Sequence, residues 1–492
     1  MKKAPDSIFK LIKAMTVAEK RYVKRDLNKY TANTENYNSL LFDALNALDV
    51  YDETKLLKKI KSSKLKKNFR VQKQYLFDAI LERLRSYEAL TDMETQLRNK
   101  MENCRILIKK GLLGEALVEV DGILEKSRAY ELYLIWLDAL WLKHDAMQGV
   151  ERNRDYKEET RKIFKELNEL AQLNGQFIKG RACNAEFFFL RSHPTMGKEI
   201  DPKIYEVKRQ NDENSKVQSD KIRQLYLTNQ IQFCGLTKDY VEFTKVGKIA
   251  LENIENSYLK KTAPVAYFIA LANYAYGLNE TSQHLELATL LKKWEEELTK
   301  DYWGKVTKAR SIAIIRRYSR MLKLLGLLPT ALGDEFKFDL KETTLYECVY
   351  AEYNSLIEYE FIQGNFDRVL QVIFEQETFA SRGLRVLDKR RNKLLEVIIG
   401  YEQGNLITLT SAVDKAKYFH KKNKLYTDLE MFFLNRFNKY YPTEIEQFLP
   451  VYEKWKEQNK EDFLIQLWLE AKGTKRRLID CYRAKIRAVA CS

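Results

Sequence analysis

The chain has 492 residues, of which 45% are hydrophobic and 31% charged, and carries a formal net charge of +16. That length exceeds what one core of ordinary size serves, and the apolar fraction excludes wholesale disorder. Eighteen glycines and seven prolines are too few for the turns of a large sheet protein or for a glycine-cradled nucleotide site, so helices joined by short polar turns are expected.

The first residues, Met1-Lys2-Lys3-Ala4-Pro5-Asp6-Ser7, lead into a stretch where Lys10, Lys13, Glu19 and Lys20 interrupt every apolar run. No signal peptide is expected there, and no stretch approaches the roughly 18 uncharged apolar residues of a membrane span. The chain therefore reads as cytoplasmic. Thr16-Val17-Ala18-Glu19 has the form of a capping box, which predicts a helix from about Val17. Further helices are expected over Leu40–Leu48 and, as a long one, over Val71–Leu90.

Charge is concentrated in this region. Residues 1–100 hold 22 Lys/Arg against 13 Asp/Glu, a net +9, which leaves +7 for the remaining 392 residues. Lys55, Lys58, Lys59, Lys61, Lys64, Lys66, Lys67, Arg70 and Lys73 follow one another with no acid between them, interleaved with Leu56, Leu57, Ile60, Leu65 and Phe69. Such a run has two readings. It is a patch that neutralises nucleic-acid phosphates, or a solvated helical surface whose apolar residues face inward. Residues 1–95 are expected to form a separate basic helical module, or an atypical capping unit of the array that follows.

From residue 96 to about 465 a helix–turn–helix pattern returns. In KKGLLGEALVEVDGILEK, Lys109 to Lys126, Gly111 breaks one helix, and Ala116, Leu117, Val120, Ile123 and Leu124 then line one face of the next. After Gly364 come Phe366, Val369, Leu370, Ile373 and Phe374 at the same spacing, and after Gly404 come Leu406, Leu409, Val413 and Ala416. Weaker copies start at Gly235, followed by Tyr240, Phe243, Gly247, Ala250, Leu251 and Ile254, and at Gly277, followed by Leu290, Leu291 and Trp294. A glycine suits this place because it ends a helix in the left-handed conformation without a Cβ penalty. A single hairpin cannot bury its own apolar face, so repetition points to a stacked array.

These units resemble tetratricopeptide repeats. In that family a glycine closes the first helix, an aromatic follows two positions on and a small residue three beyond that; Gly111, Leu113 and Ala116 stand in these places, as do Gly364, Phe366 and Val369. The period here is nearer 40 than 34 residues. The resemblance implies an all-α superhelix of helical hairpins with a concave groove that takes a protein or peptide. Some members of that family hold a peptide carboxylate with a lysine and an asparagine of the first helix. Asn229, six residues before Gly235, stands in the asparagine's place, but Leu225 replaces the lysine, so that clamp is not carried over.

Joints are expected at Ser192–Lys203 with Pro194 and Pro202, at Pro264 before a helix from Val265, at Pro329 through Gly333 to about Lys341, and at Pro442. Tyr346, Val349, Tyr353, Leu356 and Ile357 form an aromatic stripe that reads as core, or as groove lining. Residues 466–492, with Lys472, Lys475, Arg476, Arg477, Arg483, Lys485 and Arg487, are expected to close the array as a capping helix with a polar outer face.

Catalytic and metal-binding patterns are thin. His144, His193, His284 and His420 lie far apart with no acid at ligand spacing, and Glu295-Glu296-Glu297 point to different faces of one helix. Cys104, Cys183, Cys234, Cys348, Cys481 and Cys491 are scattered singly and read as reduced, buried thiols. The sequence is thus read as a binding scaffold, not an enzyme, with no cofactor or metal. A protein or peptide partner is the first expectation, and a nucleic-acid-associated role for the basic amino-terminal module is the alternative.

Overall fold

The computed structural model describes residues 6–28, 36–48, 51–60, 62, 66–149, 154–192, 201–212, 219–300, 303–328, 332, 346–379, 386–423, 434–435, 437 and 463–491. Among these residues every regular element is helical, with twenty-two helices and no strand, in an all-α helical-repeat fold. No described helix is long and apolar enough to cross a membrane. The chain divides into two compact units, Met1–Glu186 with Arg209–Tyr226, and Phe187–Lys208 with Leu227–Ser492.

The first unit opens with α1 (Ser7–Ala14), α2 (Val17–Leu27), α3 (Tyr37–Asn46), α4 (Glu53–Lys59) and α5 (Phe69–Thr91). The capping box starts α2 as its sequence predicts. The Glu19 amide donates to Thr16 Oγ1 at 3.2 Å and the Thr16 amide donates to the Glu19 carboxylate at 2.6 Å. Ile12, Leu41, Leu45, Leu56, Leu76 and Ile80 are fully buried and form one small core. Next come α6 (Met93–Lys109), α7 (Leu113–Ala129) and α8 (Tyr133–Gln148), and then α9 (Arg154–Ser192), α10 (Lys203–Asp212) and α11 (Asp220–Thr237), of which residues 154–186, 209–212 and 220–226 belong to this unit. Val120, Ile123, Leu124, Ala139, Leu140 and Leu170 pack in the core of this part of the unit.

The second unit contains α12 (Tyr240–Glu255), α13 (Leu259–Thr262), α14 (Pro264–Glu280), α15 (His284–Glu297), α16 (Lys305–Leu324), α17 (Tyr346–Gln363), α18 (Phe366–Phe379), α19 (Val386–Glu402), α20 (Leu406–Asn423), α21 (Phe463–Thr474) and α22 (Leu478–Cys491). Neighbours in sequence pack as hairpins, α14 with α15, α17 with α18, α19 with α20 and α21 with α22, while α12 packs on α14 and α16 on α17. Pro264 sits at the first position of α14, where its missing N–H would have had no partner. Val349, Tyr353 and Ile357 of the aromatic stripe are buried in the core, as are Ile398, Leu409 and Val413. The expected turns at Pro329–Lys341, Leu332 apart, and at Pro442 lie outside the described residues.

The turns obey one rule. At seven helix ends a residue with positive φ is followed by an amide that reaches back over the last turn at 2.8–3.0 Å: Leu112 to Leu107, Leu132 to Ser127, Asp239 to Cys234, Gln283 to Leu278, Leu327 to Leu322, Asn365 to Glu360 and Arg476 to Ala471. This six-to-one bond is the Schellman closure. The left-handed residues are Gly111, Gly326 and Gly364, and also Glu131, Lys238, Ser282 and Lys475. In five of these the next helix starts two residues later, at Leu113, Tyr133, Tyr240, His284 and Phe366. Gly404 has positive φ as well, and α20 starts two residues after it.

Two expected caps are therefore corrected. Gly235 and Gly277 lie inside α11 and α14, and the turns fall at Lys238 and Ser282. What Gly277 provides is proximity. A Cβ there would lie 2.7 Å from Thr244 Oγ1 and 3.0 Å from Thr244 Cα, so the glycine lets α14 press against α12. Moving the register to Lys238 also places Asn229 nine residues before the turn, and its side chain is fully buried.

Candidate functional site

In the second unit α16 carries Ile312, Ile315 and Leu322 toward the core, and the sequence Arg316-Arg317-Tyr318-Ser319-Arg320 interrupts that apolar stripe. Arg316 and Arg320 are one helical turn apart and so reach the same neighbour. That neighbour is Glu352 of α17, whose Oε1 accepts from Arg316 Nη1 at 3.3 Å and from Arg320 Nη2 at 2.5 Å. Arg320 also donates from Nη1 to Ser355 Oγ at 3.3 Å. All three ionic side chains are nearly buried. Glu352 Oε2 has no hydrogen-bond partner among the described residues, so the pair is held by one oxygen only.

Beside this pair lies a cavity of about 190 Å3, walled by Arg317, Tyr318 and Arg320 of α16, Glu358 of α17 and Tyr482 of α22, with Asn279 of α14 also contributing. Arg320 is occupied by its two partners. Arg317 is exposed and lies over the Tyr318 ring at 5.9 Å, and no carboxylate among the described residues is within ion-pair distance of it. Glu358 likewise has no hydrogen bond or ion pair among the described residues. Burial pushes its carboxyl above the usual range, against the pull of the Arg317 and Arg391 charges. Burial also pushes the Tyr318 hydroxyl up to about 12 and raises that of Tyr482. The wall thus offers one guanidinium with no carboxylate of the described residues within ion-pair distance, two phenols, and a carboxyl held above its ordinary range. The guanidinium and the phenols can donate hydrogen bonds to an anion. The volume is below the ~300–1,000 Å3 of a drug-sized site.

A second cavity, of about 120 Å3, lies in the first unit among Glu94 and Arg98 of α6, Tyr133 of α8, Asn174 and Phe177 of α9, and Lys221 of α11. The Lys221 ammonium stands 5.3 Å from the Tyr133 ring centre and 5.1 Å from that of Phe177.

The basic run of the first unit is partly spent. Lys73 bonds Glu53 at 2.8 Å and covers the Phe69 ring at 4.7 Å, and Lys55 lies 3.7 Å from Asp52. Lys58, Lys66, Lys67 and Arg70 are exposed, with no acidic partner among the described residues. Leu56, Ile60 and Phe69 are buried beneath them. The Lys59 side chain, Lys61, Lys64 and Leu65 lie outside the described residues. At the carboxyl end Lys472 bonds Glu402 at 2.7 Å, Arg477 bonds Asp480 at 2.8 Å, and Arg483 donates to the Leu324 carbonyl at 2.7 Å.

Among the described residues no cluster of His, Cys, Asp and Glu is placed to hold a metal. His144 packs edge-on against Trp141 and Phe164, and burial lowers His284. Cys104, Cys183, Cys234, Cys348 and Cys481 are buried and unbridged, and burial pushes the Cys234 thiol up to about 11, away from thiolate reactivity. Glu297 pairs with Lys260 at 2.8 Å.

The cleft residues Arg317, Glu358 and Tyr482 were not legible as a group, because they come from three helices spread over 166 positions. The local signal was three arginines within five residues on an otherwise apolar helix face. Comparisons with protein-family models, with curated proteins and with solved structures find no match for this chain.

Proposed function

We propose that this chain is a helical-repeat binding protein that holds an acidic segment of a partner polypeptide at the cleft between α16, α17 and α22. The observation that carries the reading is Arg317, an unmatched guanidinium on a cavity wall beside the phenols of Tyr318 and Tyr482. Two of the lining helices, α14 and α17, each open a hairpin, which is where a repeat array exposes its ligand-contacting side chains. The net charge of +16 adds long-range attraction for an acidic partner.

The test is affinity capture by the intact chain from native extract, at low and moderate salt, with and without nuclease. A polypeptide retained through both treatments by the wild type, and lost with Arg317→Ala, supports the reading. Retention that nuclease abolishes contradicts it.

A second reading assigns phosphate contacts to the first unit. Its observation is the exposed set Lys58, Lys66, Lys67 and Arg70, which has no acidic partner among the described residues. Retention of RNA or DNA by the whole chain should then fall steeply with salt and be abolished by charge reversal at Lys58, Lys66 and Lys67. Unchanged retention in that triple variant sinks this reading.

A further inference from the structure

The cavity around Lys221 belongs to a different unit and is independent of the cleft. Its position is set locally. Ser219 caps α11, accepting from the Ile222 amide at 3.1 Å, and shares a 2.6 Å hydrogen bond with the Tyr133 hydroxyl. The Lys221 amide donates to the Glu131 carboxylate at 2.9 Å. The side chain is thereby directed between the Tyr133 and Phe177 rings, which meet edge-on at 6.0 Å.

The charged groups facing it are Glu94 and Arg98 from α6, Glu131 from the turn before α8, and Asp220 on its own helix; α8 and α9 bring Tyr133, Asn174 and Phe177. None of the described carboxylates is within ion-pair distance of the Lys221 ammonium. Glu94 is itself engaged by Arg98 at 2.6 Å. The two rings favour the ammonium, but loss of water outweighs them and the pull of both glutamates, so Lys221 is held below the ordinary lysine range. A half-buried lysine with a loosened proton and no ion pair has the character of an amine nucleophile.

We propose that Lys221 captures small aldehydes covalently in this cavity. The neutral Nζ attacks the carbonyl carbon and a C–N bond forms. The carbonyl oxygen leaves as water with the two protons of the amine, giving an imine without oxidant or reductant. The volume sets the size of the substrate. A cavity of about 150 Å3 admits benzene, so about 120 Å3 takes a short aliphatic aldehyde, its chain against Leu132, Ile135 and Phe177.

The experiment uses the full chain with butyraldehyde as probe, cyanoborohydride to trap the imine, and peptide mass mapping across pH 6–10. Exposed Lys58 and Lys66 are internal references. Lys221 should be butylated faster than either at pH 7, because its proton is held less tightly and more of it is present as the free amine. The advantage should shrink toward pH 10 and vanish with a bulky branched aldehyde. Modification of Lys221 no faster than of Lys58 and Lys66 overturns the proposal. Equal preference for the bulky aldehyde overturns the role of the cavity.

Discussion

Arg320 of α16 and Glu352 of α17 meet in a 2.5 Å hydrogen bond between side chains only 11% and 8% exposed. At that burial, removing one partner leaves charge without compensation. Glu352→Gln strands both Arg316 and Arg320 and should cost about 3–5 kcal/mol in urea unfolding. Arg98→Ala breaks a pair with Glu94 that is about half exposed on both sides and should cost no more than ~1 kcal/mol. Equal effects would mean that solvent reaches the Glu352 pair.

Glu358 gives a pH signature. Burial raises its carboxyl in the folded chain, so the folded state keeps a proton that the unfolded state releases at lower pH. Stability therefore falls as pH rises from the ordinary carboxylate range through the raised value. Glu358→Gln cannot ionise. Its stability relative to wild type should rise between pH 4 and pH 8 in denaturant titrations, and a constant difference across that range would contradict the assignment.

The turns can be improved where they lack glycine. Lys238 and Ser282 hold φ of 59° and 56°, a region that costs a non-glycine residue about 1–2 kcal/mol. Lys238→Gly and Ser282→Gly should each raise the unfolding midpoint, and Gly364→Ala should lower it. A Lys238→Gly variant less stable than wild type would mean that the side chain, not the backbone, holds that turn.

Gly277 should behave in the opposite way to a turn glycine. Adding a methyl group forces α14 away from Thr244, and overpacking of this kind costs about 1–3 kcal/mol. Gly114, inside α7 with nothing within 4 Å of its Cβ position, should gain from alanine by about 0.5–1 kcal/mol. Thermal melts of Gly277→Ala and Gly114→Ala with shifts of the same sign would refute the packing role.

These contrasts also mark what the sequence conveyed. The capping box at Thr16, the helix after Gly111 and the hairpin at Gly364 were readable because capping and left-handed turns restrict residue type. The hairpin turns at Glu131, Lys238 and Ser282 left no glycine to read. Two glycines that do occur nearby pointed to the wrong residue: Gly277 is there for close helix packing, and Gly235 lies inside α11 with only ordinary contacts around it. The basic run was visible at Lys55–Lys73, where the residues are contiguous. Its pairing of Lys73 with Glu53 was not, since the acid lies 20 positions away. The cleft escaped for the same reason on a larger scale, as burial and distance between α16, α17 and α22 have no one-dimensional trace.

The most direct measurement places a photoreactive benzophenone amino acid at Tyr359, on the cleft wall, and separately at Lys66 in the intact chain. After irradiation in native extract, adducts are treated with nuclease and mapped by mass spectrometry. The account predicts a protein adduct at position 359 whose crosslinked segment is rich in Asp and Glu, and its loss when Arg317→Ala is added. Adducts confined to position 66, or removed from 359 by nuclease, would contradict it.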